Sequence, residues 1–390
     1  MTADRSTGCV VGIVGGGQLG RMLALAGAPL GIECRVLEPA ENPPAAVAAK
    51  WLQAPFEDAR RSMEWASAVD VVTYEFENIP AETLEAIAGA VPVFPPPESL
   101  RVSCDRVLEK QLFGDLGIPT TRWLAVATRQ EMAQAVKTLG LPLVLKTRRF
   151  GYDGKGQAVV RTENDLEKAW GVLGAAASTV GLLAEELISF TSEVSQVSVR
   201  GQGGEVRHYP LTRNVHREGI LRFSAPQGSE TKNPTIGEKA REAASLILNR
   251  LKHVGVLAVE FFENNGRLIA NEIAPRVHNS GHWTQNGAET CQFENHLRAV
   301  LGLPLGGTGR LGYSCMVNLV GAVPPIRKIL AVEGAHLHLY GKEARSGRKV
   351  GHVNLRTDSP SHFREGIQRL AGLVPDENVN DWLDQVEGIG

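Results

Sequence analysis

Two glutamates on adjacent strands of a predicted hairpin constrain this chain more than any other feature. Gly255–Phe262 and Arg267–Ile273 are apolar, β-rich runs joined by the letters ENNG, a strong hairpin signal. Pairing them brings Glu260 and Glu272 within about one residue of facing each other. Glu260 is embedded in an apolar run, where an unpaired carboxylate is costly. The pair therefore predicts a cation between the strands; two solvated acids on an exposed sheet face are the alternative.

A glycine-rich loop earlier in the chain indicates that this cation is Mg²⁺, bound beside phosphates. Leu141–Lys146 is a short apolar strand that ends in a lysine, and the loop Gly151–Gly156 follows it with three glycines. The backbone N–H groups of such a loop can close over phosphates, and Lys146 can neutralise the α- and β-phosphate oxygens. Hard oxygen ligands beside a phosphate loop favour Mg²⁺, and Asn271 can add an amide oxygen. An ordinary basic hairpin is the alternative for the loop.

The amino-terminal segment predicts a parallel α/β sheet. The strand Cys9–Val14 runs into glycines at 15, 16, 17 and 20, then into a helix over Leu19–Ala28, and Ile32–Leu37 is the next strand, followed by Glu38. This is the context of a dinucleotide fingerprint, with an anion at the helix start and an acid for the ribose. The pattern is permissive, and a turn that binds another anionic molecule, or nothing, stays open.

The chain is long enough for two or three packed domains. Further strands over Val69–Phe76 and Val91–Phe94 complete an amino-terminal domain, residues 1–100. A helix over Ser103–Leu116 opens the second domain, residues 101–310. The Gly/Pro-rich stretch Leu301–Gly312 precedes a small carboxy-terminal domain, residues 311–390.

Charge and cysteine content exclude several classes of protein. The 41 basic and 43 acidic residues nearly cancel, so no large field attracts nucleic acid or an anionic membrane. No run of about 18 apolar residues occurs that could span a bilayer. Five scattered cysteines without zinc spacing predict reduced thiols in a cytoplasmic protein.

A strand lysine, a glycine-rich loop and a late Glu…Asn-Glu pair together resemble the ATP-grasp fold. The resemblance implies ATP clamped between two α+β subdomains, one of them a mobile lid at about residues 120–185, behind a Rossmann-like amino-terminal domain. It implies that Arg106 and Lys146 contact phosphates, residues 185–188 bind adenine largely through the backbone, and Glu193 holds the ribose. The implied ATP-binding residues are Arg106, Lys146, Gly151, Gly154, Gly156, Gln157, Glu185, Glu186, Leu187, Ile188, Glu193, His216, Asn271 and Glu272.

Six narrower strings are similar to the 5-(carboxyamino)imidazole ribonucleotide synthetase family and appear in that family's order. They are GIVGGGQLGRM (12–22), TYEFENI (73–79), RFGYDGKGQ (149–157), NEIAPRVHNSGHWT (271–284), YGK (340–342) and GRKVGHVN (347–354). The resemblance implies that ATP phosphorylates bicarbonate, with Mg²⁺ bound by Glu260 and Glu272. The amine of aminoimidazole ribonucleotide then attacks the carboxyphosphate, or CO₂ released from it. The resemblance also implies a homodimer.

The position of Arg276, His278 and Asn279, directly after the acid hairpin, places them where phosphorylated bicarbonate should form. Asp153 or His278 is the candidate base, and the sequence does not choose between them. Tyr152 and Lys155 would position the substrate.

A carboxy-terminal basic cluster suits the 5′-phosphate of the ribonucleotide; its members are Lys342, Arg348 and Lys349. Gln18, Leu19 and Glu75 would hold the imidazole nucleotide at the glycine turn. The roles of Glu77 and His282 stay open between structural and functional.

Three rival functions differ in what they predict. A formate-dependent glycinamide ribonucleotide ligase of the same fold would turn over with formate and not with bicarbonate. An NAD-dependent oxidoreductase would transfer hydride at the glycine turn, but it leaves Glu260, Glu272 and the 151–156 loop unexplained. A non-catalytic nucleotide sensor would bind ATP without releasing ADP.

Overall fold

The computed structural model describes residues 8–151, 156–227, 234–375 and 377–386. Its amino-terminal part is a parallel sheet flanked by helices, as the alternating pattern predicts. The strand order is β3-β2-β1-β4. The elements are β1 (Val10–Val14), α1 (Gln18–Gly27), β2 (Glu33–Glu38), β3 (Lys50–Gln53), α2 (Ala59–Ala66), β4 (Val71–Tyr74), α3 (Ala81–Ala88) and α4 (Pro97–Ser103).

One predicted strand of this domain is wrong. Val91–Phe94 forms only an isolated bridge, with Val93 opposite Val72. The Val72 amide donates to Pro92 O at 2.8 Å, and Phe94 N donates to Val72 O at 2.8 Å. Prolines at 92 and 95 offer no N–H on either side, so the ladder cannot extend beyond these two bonds.

The second part of the chain begins with α5 (Arg106–Asp115) and continues into a separate four-stranded antiparallel sheet, the lid. Two helices cover this sheet, whose strand order is β5-β8-β6-β7. Both helices begin at threonine capping boxes, Thr128 and Thr162, which fix where each one starts. The lid elements are β5 (Trp123–Val126), α6 (Arg129–Leu139), β6 (Leu143–Thr147), β7 (Gln157–Val160), α7 (Glu163–Ala177) and β8 (Leu182–Glu186).

The remaining strands form one nine-stranded antiparallel sheet, the main sheet. Its order is β14-β13-β9-β11-β12-β15-β17-β16, with β10 paired to β9. β12 pairs with β15, so the sheet continues across residue 310, where the sequence predicts a domain boundary. The elements are β9 (Ser192–Arg200), β10 (Val206–His208), β11 (Thr212–Arg217), β12 (Ile220–Pro226), α8 (Pro234–Arg250), β13 (Gly255–Asn264), β14 (Arg267–Ala274), α9 (Thr284–Gly287), α10 (Gln292–Val300), β15 (Tyr313–Val320), α11 (Ile326–Leu330), β16 (Ala335–Leu339), β17 (Lys349–Thr357), α12 (Pro360–Ala371) and α13 (Val379–Leu383).

The two faces of the main sheet differ in polarity, and this difference positions the site. One face is apolar: Val259 and Phe261 pack with residues of α8, and Val353 and Leu355 pack with residues of α12. The other face carries polar side chains because successive side chains of a strand point to opposite sides. The polar residues that share this face through paired register are Glu272, Glu260, Ser195, Glu193, Asn214, Ser224, Asn318, Asn354 and His352.

Two buried histidines join the amino-terminal domain to the main sheet. His296 Nε2 lies 2.7 Å from Thr73 Oγ1, and His253 Nδ1 lies 3.1 Å from Ser99 Oγ. These hydrogen bonds hold the parallel sheet beside the polar face. Within the described residues, no helix combines the length and apolar character that crossing a bilayer requires.

Candidate active site

The acid pair predicted from the hairpin is present. Glu260 on β13 is the direct register partner of Glu272 on β14. Burial raises the pKa of Glu260 to about 7, and the neighbouring Glu272 contributes to this rise. Burial would also raise the pKa of Glu272, but Arg106 and Lys146 outweigh it and hold that pKa below the usual value. Arg106 Nη1 lies 3.2 Å from Glu272 Oε2.

The residues around this pair fit a magnesium ion. Asn271 Oδ1, next to Glu272, is buried and has no hydrogen-bond partner within the described residues. No cluster of three or more His, Cys, Asp or Glu side chains suited to a metal occurs in the part of the chain that is described. Two carboxylates and one amide oxygen leave coordination positions for phosphate oxygens and water, as Mg²⁺ sites in phosphoryl-transfer enzymes do.

Lys146 lies near the end of β6, on the lid side of the space between the lid and the acid pair. We call this space the cleft. Lys146 Nζ is 3.1 Å from Glu185 Oε2 on β8, and Lys110 Nζ is 3.4 Å from the other oxygen, Glu185 Oε1. Burial alone would raise the pKa of Glu185. The positive charges of Lys146, Lys110 and Arg106 outweigh burial and lower this pKa to about 2. Glu185 is therefore a permanently charged carboxylate between two lysines.

The glycine-rich loop begins and ends beside Lys146. The Thr147 amide donates to Gly156 O at 2.7 Å, and Gln157 is the register partner of Lys146. Gly156 has a φ of 70°, which favours glycine. Before Gly151, Arg148 and Arg149 both bind the buried carboxylate of Asp105, which caps α5. Four predicted site residues, Tyr152, Asp153, Gly154 and Lys155, lie outside the described residues.

Two backbone N–H groups of the predicted adenine segment, residues 185–188, form hydrogen bonds within the lid. Glu186 N donates to Arg122 O at 3.0 Å, and Leu187 N donates to Pro142 O at 3.2 Å. The Glu186 side chain pairs with Arg122 at 2.9 Å. At Glu186 and Leu187 the carbonyl oxygens would therefore be the backbone groups that bind adenine. Ile188, the next residue, is half-buried.

The predicted ribose ligand is paired with the predicted nucleotide histidine. Glu193 on β9 and His216 on β11 form a close ion pair. Burial alone would lower the pKa of His216, but the contact with Glu193 outweighs burial and raises this pKa above its usual value. His216 also lowers the pKa of Glu260, so this pair lies close to the acid pair.

The segment after β14 brings its polar residues to the acid pair. His278 Nε2 lies 3.4 Å from Glu260 Oε1, and His278 Nδ1 lies 2.8 Å from Ser280 Oγ. Burial lowers the pKa of His278 far below its usual value, and Arg276 lowers it further, so the ring is neutral. Asn279 exchanges hydrogen bonds with Asn318, which fixes its amide orientation.

Glu77 and His282, whose roles the sequence leaves open, have different surroundings. Glu77 forms an ion pair with Arg276 and therefore touches the predicted bicarbonate site. His282 is fully buried, and its ring centroid lies 4.9 Å from that of His352. Its Nδ1 lies 3.2 Å from Gln292 Nε2. These contacts hold the His282 side chain in the interior of the protein, against His352 and Gln292.

The chain's own carboxylates occupy the glycine turn. Glu75 accepts from Gly17 N at 2.5 Å and from Gly20 N at 2.9 Å, while Glu38 accepts from Gly16 N at 2.7 Å. The amides that would bind a pyrophosphate are thus already satisfied by carboxylates, which would repel one. The dinucleotide interpretation, and the oxidoreductase built on it, are wrong for this reason.

The predicted ribonucleotide residues lie between this turn and β17. Gln18 Oε1 accepts a hydrogen bond from Lys342 Nζ, while the side chain of Leu19 is only 8% exposed and packs in the core. Leu19 could therefore offer its backbone more readily than its side chain. Lys349 begins β17 and lowers the pKa of both His278 and Glu260, although burial is the main influence on each. Arg348 precedes it, half-buried.

Sequence reasoning missed two buried charges on α5. Lys110 is 2% exposed and contacts Glu185, and Glu109 is 1% exposed and accepts from Ile273 N at 2.5 Å. Burial raises the pKa of Glu109 to about 8. Glu109 and Lys110 are consecutive charges on a short amphipathic helix, which usually indicates a solvated face; no sequence signal shows that both are buried.

Comparison with known proteins identifies the domains of the chain and its relatives. Three family models match in chain order: the ribonucleotide synthetase preATP-grasp domain at 9–104, the ATP-grasp domain at 111–293 and the phosphoribosylaminoimidazole carboxylase C-terminal domain at 314–366. N5-carboxyaminoimidazole ribonucleotide synthase of Pseudomonas aeruginosa is 48% identical over 364 residues, covering 93% of this chain and 99% of that protein.

The chain belongs to the N5-carboxyaminoimidazole ribonucleotide synthase family.

Solved structures of this synthase family share the fold. The synthetase from Thermus thermophilus has a TM-score of 0.88 at 48% identity, covering 94% of this chain and 99% of that one. The synthase from Aspergillus clavatus, in complex with ADP and 5-aminoimidazole ribonucleotide, has a TM-score of 0.85 at 29% identity and covers 97% and 99%. The predicted ATP-grasp fold with its two flanking parts is confirmed.

Proposed function

We propose that this protein catalyses the ATP-dependent carboxylation of 5-aminoimidazole ribonucleotide with bicarbonate. The products would be N5-carboxyaminoimidazole ribonucleotide, ADP and phosphate, a step of purine biosynthesis. The observation that carries the proposal is the acid pair Glu260–Glu272 with two cations beside it: Arg106 contacts Glu272, and Lys146 is near enough to lower its pKa. The names of the relatives, synthases of this product, supply the substrate.

Phosphoryl transfer depends on positive charge at the phosphates. Lys146 and Arg106 would bind the phosphates of ATP, and Glu272 orients Arg106 through their ion pair at 3.2 Å. Arg276 would bind bicarbonate, and Glu77 holds its guanidinium in place. A bicarbonate oxygen attacks the γ-phosphorus, ADP leaves, and carboxyphosphate remains in the cleft.

Mg²⁺ would be held by Glu260 and Glu272, with the buried amide oxygen of Asn271 beside them. When bound, the ion offsets charge on the transferring phosphoryl group. Glu193 and His216 would lie at the ribose, and Glu185 to Ile188 at the adenine.

The second step joins the amine to carbon. The exocyclic amine attacks carboxyphosphate, or CO₂ released from it, and the carbon–oxygen bond to phosphate breaks. His278, which lies 3.4 Å from Glu260, is one candidate base for the amine proton, and its lowered pKa makes the ring a weak base in the protein without ligands. Asp153 is the other candidate base, and Tyr152 and Lys155 would position the substrate.

The ribonucleotide would bind between the glycine turn and β17. Gln18, Leu19 and Glu75 would contact the imidazole end, and the cations of Lys342, Arg348 and Lys349 would bind the 5′-phosphate. Lys342 donates a hydrogen bond to Gln18. This contact between the proposed phosphate-binding and imidazole-binding residues supports the placement.

Isotope labelling tests the whole proposal. Purified protein with Mg²⁺, ATP, aminoimidazole ribonucleotide and bicarbonate labelled with ¹³C and ¹⁸O should yield a ¹³C-labelled ribonucleotide. One ¹⁸O should appear in phosphate, because the oxygen that bonds to phosphorus leaves with it. ADP release should require both co-substrates. Turnover with formate, phosphate without the label, or ATP binding without ADP release would contradict the proposal.

We also propose that the protein acts as a homodimer in the cytoplasm. The family resemblance supports the dimer. Scattered cysteines, odd in number, support a reducing compartment. Light scattering of the purified protein would test the dimer, and a mass of 42.0 kDa would contradict it.

A further inference from the structure

Lys110 lies at the junction between the lid and the main sheet. Its side chain is 1% exposed. Nζ lies 2.8 Å from Thr120 Oγ1 and 3.3 Å from Thr121 Oγ1, in the segment that leads into the lid. It also lies 3.4 Å from Ala270 O and 3.2 Å from Asn271 O, the two carbonyls before Glu272. One buried group on α5 therefore contacts both the entry to the lid and the β13–β14 hairpin.

The partners of Lys110 require a donor with several hydrogens. The carbonyl oxygens of Ala270 and Asn271 can only accept hydrogen bonds. Thr120 donates its own hydroxyl hydrogen to Ala270 O at 2.8 Å, so its oxygen accepts from Lys110. An ammonium group has three donors and no acceptor, and it matches this environment. Burial lowers the pKa of Lys110, and the charge of Glu185 opposes this shift. The surrounding acceptors favour the ammonium form, so Lys110 is held as a fixed cation.

Glu185 is shared between this fixed cation and Lys146. Lys110 is 3.4 Å from Oε1, and Lys146 is 3.1 Å from Oε2. Lys146 is the more exposed lysine, with 11% of its side chain accessible at the cleft. A phosphate group at Lys146 competes with Glu185 for the charge of its ammonium group. A buried carboxylate left without a counter-ion would make that exchange costly.

We propose that Lys110 is a positioning residue: it is the permanent counter-ion of Glu185, and it thereby frees Lys146 to turn from Glu185 to the phosphates of ATP. The inference rests on the proposed function only in taking Lys146 as a phosphate ligand. It assigns the two lysines different tasks although both contact the same carboxylate.

Calorimetric binding of ATP with Mg²⁺ tests the inference without the ribonucleotide. Lys110→Met should weaken ATP binding by roughly tenfold or more, because Lys146 stays bound to Glu185. In the Glu185→Gln background, Lys110→Met should change ATP affinity by no more than a few-fold, because the competing charge is already gone. Lys137→Met removes an exposed lysine of α6 and should bind ATP as the wild type does. Lys110→Arg keeps the charge and should bind ATP within a few-fold of the wild type.

The double variant decides between positioning and mere structural support. A structural role for Lys110 predicts that Lys110→Met weakens ATP binding as much in Glu185→Gln protein as in the wild type, and that result would overturn the inference. If Lys110→Met alone does not fold, the double variant, which removes both charges, should still fold and bind ATP like Glu185→Gln. Weaker binding by about tenfold would then overturn the inference.

The two proposals fail separately. Wild-type protein that binds ATP but does not carboxylate aminoimidazole ribonucleotide would contradict the proposed function and leave the role of Lys110 intact. Unchanged ATP affinity in Lys110→Met, in a preparation whose wild type is an active carboxylase, would contradict the role of Lys110 alone.

Discussion

Glu260 lies directly opposite Glu272, and the pKa values of these two buried carboxylates are shifted in opposite directions. Burial, with Glu272 beside it, raises the pKa of Glu260 to about 7. Arg106 and Lys146 keep the pKa of Glu272 below its usual value against the same burial. In the metal-free protein one acid is therefore half-protonated near neutral pH while the other is charged.

This asymmetry predicts a pH-dependent metal affinity. Glu260 must lose its proton to bind a cation, so Mg²⁺ binding should strengthen as pH rises through about 7. A raised folded-state pKa also means that the stability contributed by protonated Glu260 is lost as pH rises from 4.5 through 7. The increase in Tm on adding Mg²⁺ to the ADP complex should therefore be larger at pH 8 than at pH 6. Glu260→Gln should abolish that difference; equal increases in the wild type would contradict the prediction.

Replacing the second acid should remove catalysis and keep the fold. Glu272→Gln removes a proposed metal ligand and the partner of Arg106, so ATP turnover should fall by about a hundredfold or more. The repulsion with Glu260 is lost at the same time, so Tm should change little. ADP release and circular dichroism measure the two effects. Glu205→Gln, an exposed acid beside β10, is the control, and wild-type turnover in Glu272→Gln would exclude the metal role.

The basic residue at the start of β17 should act on one substrate only. Lys349→Ala removes a cation proposed for the 5′-phosphate, so KM for aminoimidazole ribonucleotide should rise by about tenfold or more. KM for ATP should change much less. Steady-state kinetics with each substrate varied separately measures both, with Lys328→Ala, an exposed lysine of α11, as control. Equal changes in the two KM values would move Lys349 away from the phosphate.

Asp105 should couple the glycine loop to α5 through charge. Asp105→Asn keeps an amide oxygen that can cap the helix but removes the charge that binds Arg148 and Arg149. Because both arginines are about one-third or more exposed, the cost in stability should be modest, about 1 kcal/mol. ATP affinity should fall several-fold, because the residues that lead into the glycine-rich loop lose their attachment to α5.

Calorimetry and thermal melting measure the two effects of Asp105→Asn. Asp58→Asn, at the cap of α2, alters a similar cap away from the nucleotide cleft and should leave ATP affinity unchanged. Unchanged ATP affinity in Asp105→Asn would show that the arginine contacts stabilise the fold alone.

Local pattern is sufficient to predict the elements that bear the chemistry. Two apolar, β-rich runs and the turn letters between them predict the β13–β14 hairpin, and that hairpin alone brings Glu260 and Glu272 together. The apolar strand that carries Lys146 is predictable for the same reason, since a short apolar run depends only on neighbouring positions. Motifs in family order predict the ATP-grasp fold.

Contacts between distant segments could not be predicted this way. Lys110 resembles an ordinary surface lysine until α5 packs against β14 and the lid. Glu75 was expected beside the substrate, and only the structure shows that its carboxylate also satisfies the glycine turn. The strand pairing that carries the main sheet across residue 310 joins residues far apart in sequence.

The sequence by itself determined the reactive groups, their local elements and the family. Tertiary structure decided which charges are buried together and which of them share a partner. The physical reason is that burial and the pKa shifts it causes depend on every element that packs around a group. A local pattern describes only the element on which the group lies.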